Sequence, residues 1–174
     1  VNDNTIASNG LNGVLVVNNS VGNTISANSI YGNTRRSINL NNSTSTLALP
    51  NDAGHLDPGA NNQQNWPDVT AVGQSAFSTQ VDYALDTQDG TYTLDFFSNP
   101  ALASPAGKDY ITSTSVVVYG GPVSGSFFLT GALDNLSMTA TNQSSGDTSE
   151  YSPMKAAITA PAATVTPAQL NFGT

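Results

Sequence analysis

The first third of the chain repeats itself at an offset of 24 residues, and few folds accept such a sequence. Val1 aligns with Ile25, Ile6 with Ile30, Val14 with Ile38 and Val16 with Leu40. At the same offset Asn4 aligns with Asn28 and Asn9 with Asn33. Apolar and Asn positions matching together exceed what an Asn-rich composition supplies alone. A period in the low twenties, made of short strands broken by Asn or Gly, fits a coil of stacked parallel strands with alternate side chains turned inward. Asn at the turns of such a coil stacks on the Asn above and below and passes amide hydrogen bonds along the axis. Asn also tolerates the left-handed backbone that those turns need.

Composition agrees with this reading and divides the chain. Of the 20 Asn, 16 lie in residues 1–65. Residues 1–65 carry Arg35 and Arg36 against Asp3, Asp52 and Asp57, while the rest carries Lys108 and Lys155 against nine acids. Two regions with a boundary near residues 61–66 follow. Only 9% of residues are charged and the net charge is −8. Four basic residues cannot form a phosphate-binding patch, so no nucleic-acid partner is expected. No apolar run is long enough for a membrane-spanning helix, so no membrane insertion is expected. With no cysteine, disulfides and thiolate chemistry are absent. A start at Val1 reads as a processed or excerpted chain.

The join, residues 45–67, is rich in Pro, Gly and Asx. Asn51, Asp52, Asp57 and Asn61 place hard oxygen ligands within eleven residues, a possible Ca²⁺ loop. The competing reading is a capping loop whose Asx side chains satisfy their own backbone. Trp66, Leu47 and Leu49 are expected to cover the open end of the repeat, and Arg35 and Arg36 to project into solvent. Beyond residue 68, seven short alternating segments are separated by turn signals: 69–72, 80–85, 91–97, 111–119, 125–130, 136–141 and 156–159. Period-two alternation, as in Tyr92, Leu94 and Phe96 against Thr93 and Asp95, predicts strands with one buried and one wet face. About seven strands over ~90 residues is the count of an immunoglobulin-like sandwich, without its Cys and Trp signature.

The segments NTISANSIYGN (23–33) and SINLNN (37–42) resemble the right-handed parallel β-helix repeat of secreted bacterial surface proteins. The join resembles the segment after the last rung in that group, through Asn51, Asp52, Gly54, Asp57, Gly59, Asn61, Asn62, Gln64, Asn65 and Pro67. YTLDFFSNPA (92–101) and TATNQSSGDTSEYSP (139–153) resemble the Ig-like module that follows it. The tail from residue 159, with Pro167, Leu170 and Phe172, resembles the opening strand of a further Ig-like module. The resemblance implies an all-β chain. It would hold about two β-helix rungs over 1–44, a capping loop over 45–67, an Ig-like sandwich over 68–159, and a hinge with an extra strand over 160–174. It implies no activity.

A search for catalysis finds little. His55 is the single histidine, no G-x-S-x-G elbow exists, and His55 reads as a surface loop residue. β-Helix hydrolases use paired carboxylates, but the repeat holds one acid, Asp3. The nine later acids read as solubilising charge in turns. No catalytic residues are assigned, and no cofactor beyond a possible Ca²⁺. The expected function is a non-enzymatic extracellular module of a bacterial surface or fibre-forming protein. It would assemble by rung stacking through Asn4, Asn9, Asn28 and Asn33, and by strand pairing through Val165, Leu170 and Phe172. Its partners would be other copies or adjacent modules. The alternative is a non-catalytic, glycan-binding end of a secreted polysaccharide-degrading enzyme.

Overall fold

The computed structural model describes residues 1–55, 57–100 and 105–159; Val165, Leu170 and Phe172 lie outside the described residues. The chain is all-β, and among the described residues no helix is long and apolar enough to cross a membrane.

The 24-residue offset is a strand register. β1 (Thr5–Ala7) pairs in parallel with β3 (Ser29–Tyr31), Ile6 opposite Ile30. β2 (Val14–Leu15) pairs in parallel with β4 (Ile38–Asn39), Val14 opposite Ile38. The two pairs form separate two-stranded sheets. Between them Val16, Ile25, Ile30, Ile38 and Leu40 are buried in one cluster. The turns use Asn as anticipated. Backbone N and Nδ2 of Asn4 both donate to Asn28 Oδ1, at 3.0 and 3.1 Å. Asn9 makes the same pair of bonds to Asn33 Oδ1, at 3.0 and 2.9 Å. Asn28 and Asn33 are buried, whereas Asn4 and Asn9 are exposed. Asn33→Ala removes the buried acceptor that takes both donors of Asn9 and is expected to cost ~1–3 kcal/mol, against under ~1 for Asn9→Ala. Chemical denaturation of the two variants measures the difference; equal losses would remove the ladder as a stabilising device.

Gly13 shows why the second strand pair tolerates no larger residue there. A Cβ at Gly13 would stand 2.5 Å from Ile30 Cγ2 and 2.6 Å from the Ser37 carbonyl oxygen. The close approach of the two repeat copies requires glycine at this position.

After the join come two four-stranded sheets. One has the order β12–β5–β6–β9 and the other β11–β10–β7–β8. Their strands are β5 (Asp68–Gln74), β6 (Ser78–Leu85), β7 (Gly90–Asn99), β8 (Asp109–Val118), β9 (Val123–Thr130), β10 (Asn135–Asn142), β11 (Lys155–Ala156) and β12 (Ile158–Thr159). Val72, Val81, Leu85, Leu94, Phe96, Leu129, Leu136 and Met138 fill the space between the sheets. The first six segments expected from the sequence are strands, with ends shifted by up to two residues. The seventh is two strands. Lys155–Ala156 pairs antiparallel with β10, and two residues later Ile158–Thr159 pairs in parallel with β5. The chain changes sheet at Ala157, whose N–H donates to the Asp134 carbonyl at 2.7 Å. That switch closes one side of the sandwich.

The expectation of one wet face fails for β7 and β10. Phe96 faces the sandwich core, while its neighbour Phe97 joins the buried cluster of the repeat. A bulge separates the two residues in the β7–β8 pairing. On the same outer face Asp95, Ser137, Thr139 and Thr141 are all buried. The repeat and residues 147–152 cover this face, which is why its polar alternation did not mean solvent.

Candidate functional site

The polar groups of the chain converge on the seam between the repeat and the sandwich. Residues 147–152 (Asp-Thr-Ser-Glu-Tyr-Ser) run beside β10 as an irregular edge. The Ser149 and Ser152 hydroxyls accept the N–H groups of Ala140 and Met138 at 2.9 and 3.0 Å. The other residues of the segment, Asp147, Thr148, Glu150 and Tyr151, contact the repeat. Asp147 Oδ1 accepts the Gly22 N–H at 2.7 Å, and Thr148 Oγ1 accepts the Ile25 N–H at 2.9 Å. Tyr151 donates its hydroxyl to the Asn28 carbonyl at 3.1 Å and stacks edge-on against Phe97 at 5.0 Å. One short segment thus borders a sheet on one side and supplies side chains to the repeat on the other.

Glu150, the only glutamate, is the centre of the seam. Its Oε1 accepts Arg36 Nη1 at 2.7 Å and the Leu40 N–H at 2.9 Å; its Oε2 accepts the Leu49 N–H at 2.7 Å. The two side chains are only 6% and 2% exposed. Burial pushes the Glu150 carboxyl up, against the two backbone N–H groups and Arg36, which pull it down. Arg36 Nη1 also donates to Asn41 Oδ1. The expectation that Arg36 projects into solvent is therefore wrong. Its partner lies 114 residues away, beyond any local pattern. The view of the later acids as solubilising charge also fails for Glu150, Asp147 and Asp95, all of which are buried. Asp95 Oδ2 accepts from Ser26 Oγ and the Ala27 N–H at 2.7 and 3.0 Å. Burial pushes its carboxyl up.

The join continues the ladder of the repeat. Asn61 Oδ1 accepts both N and Nδ2 of Asn23, each at 3.0 Å, and Asn61 Nδ2 donates to the Asn23 and Thr148 carbonyls. This is the same two-donor bond that Asn28 and Asn33 make. It is displaced from the 24-residue register because the join loops out before returning. Asn61, Asn62 and Gln63 hold positive φ of 45°, 49° and 52°, which Asn accepts more readily than most residues. Ala60, Phe97 and Tyr151 close this end of the apolar cluster. Leu47 is exposed and Trp66 half-buried, so the expected cover is made by other residues. Trp66 instead clips the loop, donating Nε1 to the Leu49 carbonyl at 2.8 Å.

The four residues considered for Ca²⁺ do different things. Asn51 is paired with the Trp66 backbone through both amide atoms. Asn61 is committed to Asn23 and Thr148. The Asp52 carbonyl accepts from Asn65 Nδ2 at 2.7 Å. Asp57 lines a polar cleft of about 320 Å³ with His55, Asn62, Gln88 and Asp147. Among the described residues no group of three or more His, Cys, Asp or Glu is placed to hold a metal.

His55 is buried, at 5% exposure, and not on the surface. Among the described residues its Nδ1 has no hydrogen-bond partner. Burial pulls its pKa below the ordinary 6.5, opposed by Asp52, Asp147 and Asp57. The unfolded ring therefore takes its proton at higher pH than the folded one. Stability is full above about 6.5 and falls as pH drops through the lowered value. Asp95 and Glu150, both raised, tilt the opposite way at lower pH, so the useful quantity is a difference. Melting temperatures of the wild type should fall faster than those of His55→Gln between about pH 7 and pH 5.5; parallel profiles would contradict this.

The other end of the repeat presents apolar side chains. Val1, Leu11, Leu15, Val17 and Val21 are exposed. Six apolar residues, Val1, Val14, Leu15, Val16, Val17 and Ile25, help line a cavity of about 600 Å³ there. No protein-family model matches the chain, and no curated protein matches it significantly.

Proposed function

We propose that the chain is a non-enzymatic extracellular structural module of a bacterial surface or fibre-forming protein. In this reading the repeat is two rungs of a right-handed parallel β-helix, capped by residues 57–65 and joined to an Ig-like sandwich. The module assembles by stacking at the open rung and by pairing of its C-terminal strand with an adjacent module or copy. The observation that carries the reading is the contrast between the two ends of the repeat. The end facing the sandwich is sealed by Asn61, Glu150 and Tyr151. The far end presents apolar side chains and strand edges, a surface that a further rung would cover, whether from the same protein or from another copy.

The buried carboxylates support a non-catalytic role. Asp95, Asp147 and Glu150 each accept backbone N–H groups of the repeat, so their geometry serves cohesion. The test is assembly. Light scattering and electron microscopy of the purified chain should show concentration-dependent association, reduced when residues 160–174 are deleted. A chain that stays monomeric at every concentration, and binds on a glycan array through the His55 cleft, would replace this reading with the carbohydrate-binding one.

A further inference from the structure

The two sides of the sandwich are finished differently. On one side β11 and β12 are two residues each, the chain crosses between sheets at Ala157, and Lys155 sits on the edge. Short strands, a charge and a crossover are the usual means of blunting a sheet edge. The other side ends in long strands, although the chain passes between the sheets there too, from β8 to β9, and Asp109 opens β8. β8 and β9 are the outer strands of their sheets, ten and eight residues long. β9, Val-Ser-Gly-Ser-Phe-Phe-Leu-Thr, has no charge and no proline. Between the two edges lies a groove of about 330 Å³ lined by Ile111, Thr112 and residues 127–130. Phe127 stacks on Phe96 of the core at 5.0 Å, yet it and Ile111 are only half-buried. Phe128 and Val117 are 68% and 65% exposed.

We infer that the free edge of β9 accepts an added β-strand, and that the strand is residues 168–172 of a second copy of this chain. This rests on the assembly reading above and names its acceptor. Residues 160–174 contain no charged side chain. In a chain of net charge −8 such a segment approaches the neutral β9 edge without like-charge repulsion. Ala168, Leu170 and Phe172 alternate with Gln169 and Asn171, the period of a strand with one apolar face. That face would meet Ile111 and Phe127, while main-chain bonds to β9 supply the affinity. Pro167 stands where a strand begins, where its missing N–H is tolerated. The chain leaves β12 at the edge of the sheet opposite β9. That is three strand spacings away, roughly 14 Å. The sequence places Pro161 two residues after β12, a residue type that favours an extended linker and, in this proposal, delivery to a neighbour over folding back.

The test is hydrogen exchange of the full-length chain as a function of concentration, with sedimentation recorded on the same samples. The outward amides of β9 are expected to slow by at least ~10-fold as the chain associates. Phe128→Lys on the acceptor, and Leu170→Asp with Phe172→Asp on the donor, should each abolish the slowing. The melting temperature of dilute protein shows that the variants remain folded. Association with unchanged β9 exchange would overturn this acceptor and leave the assembly reading standing. Protection of β9 in monomer at all concentrations, lost in the donor variant, would overturn delivery to a second copy. No association at any concentration would overturn both.

Discussion

Glu150→Gln is expected to lower the unfolding free energy by ~3–5 kcal/mol, the cost of leaving a buried charge without its counter-ion. The reasoning starts from donors. The carboxylate accepts Arg36 Nη1, the Leu40 N–H and the Leu49 N–H. An amide in its place offers one acceptor oxygen and turns an NH₂ toward the remaining donors. Arg36 then stays buried with a positive charge and, among the described residues, an Nε without a partner; it keeps Asn41 as acceptor and competes with the Leu40 and Leu49 N–H groups for the single amide oxygen. Arg36→Met should cost less, because the carboxylate keeps its two backbone donors. The double variant Arg36→Met, Glu150→Leu discriminates further. Replacing an isolated buried ion pair by apolar residues is often neutral. Here the Leu40 and Leu49 N–H groups lose their acceptor, and a residual cost of ~1–3 kcal/mol is expected. Urea denaturation of the three variants, read as a double-mutant cycle, checks the order. A neutral double variant would mean that the backbone bonds contribute nothing.

Tyr151→Ala carries the second large effect, ~3–5 kcal/mol, by emptying the centre of the seam. The ring is fully buried among Ile30, Ile38 and Phe97. It also leaves no room at Gly107, where a Cβ would stand 2.3 Å from Tyr151 Cε1 and 2.7 Å from Phe97 Cδ1. Gly107 in turn exchanges backbone hydrogen bonds with Ile30 at 2.7 and 3.0 Å. Aromatic ring, glycine and strand therefore form one contact. Tyr151→Phe removes only the hydroxyl bond to Asn28 and should cost ~1 kcal/mol. Gly107→Ala overpacks the same spot and should cost ~1–3 kcal/mol. If Tyr151→Ala costs no more than Tyr151→Phe, packing at the seam is not what binds the regions.

The repeat was legible because its information is local. A fixed offset places Ile6 on Ile30 and Asn9 on Asn33, and the same offset is the strand register. The strands of the second region were legible through period-two alternation. Alternation cannot say what covers a polar face, so Asp95, Ser137 and Thr139 read as solvated when the repeat lies on them. Arg36, His55 and Glu150 failed for a related reason. A charged side chain is placed in solvent by default, and only a partner far along the chain reverses that default. One sign was available in the sequence: a single Glu in a chain of 11 Asp. The longer side chain stands where the carboxylate has to reach across a seam. The Asn61 contact to Asn23 was hidden by the looped join, which breaks the 24-residue count without breaking the geometry.

The central claim is that residues 147–151 lock the repeat and the sandwich into one cooperative unit, leaving only the far ends for assembly. Native-state hydrogen exchange of the full-length chain under increasing denaturant tests it most directly. The amides of Ile30 and Leu40 in the repeat and of Leu94 and Met138 in the sandwich should open with the same free energy and denaturant dependence. Glu150→Gln should bring the repeat amides down first. Repeat amides that open independently of the sandwich in the wild-type chain would contradict the claim.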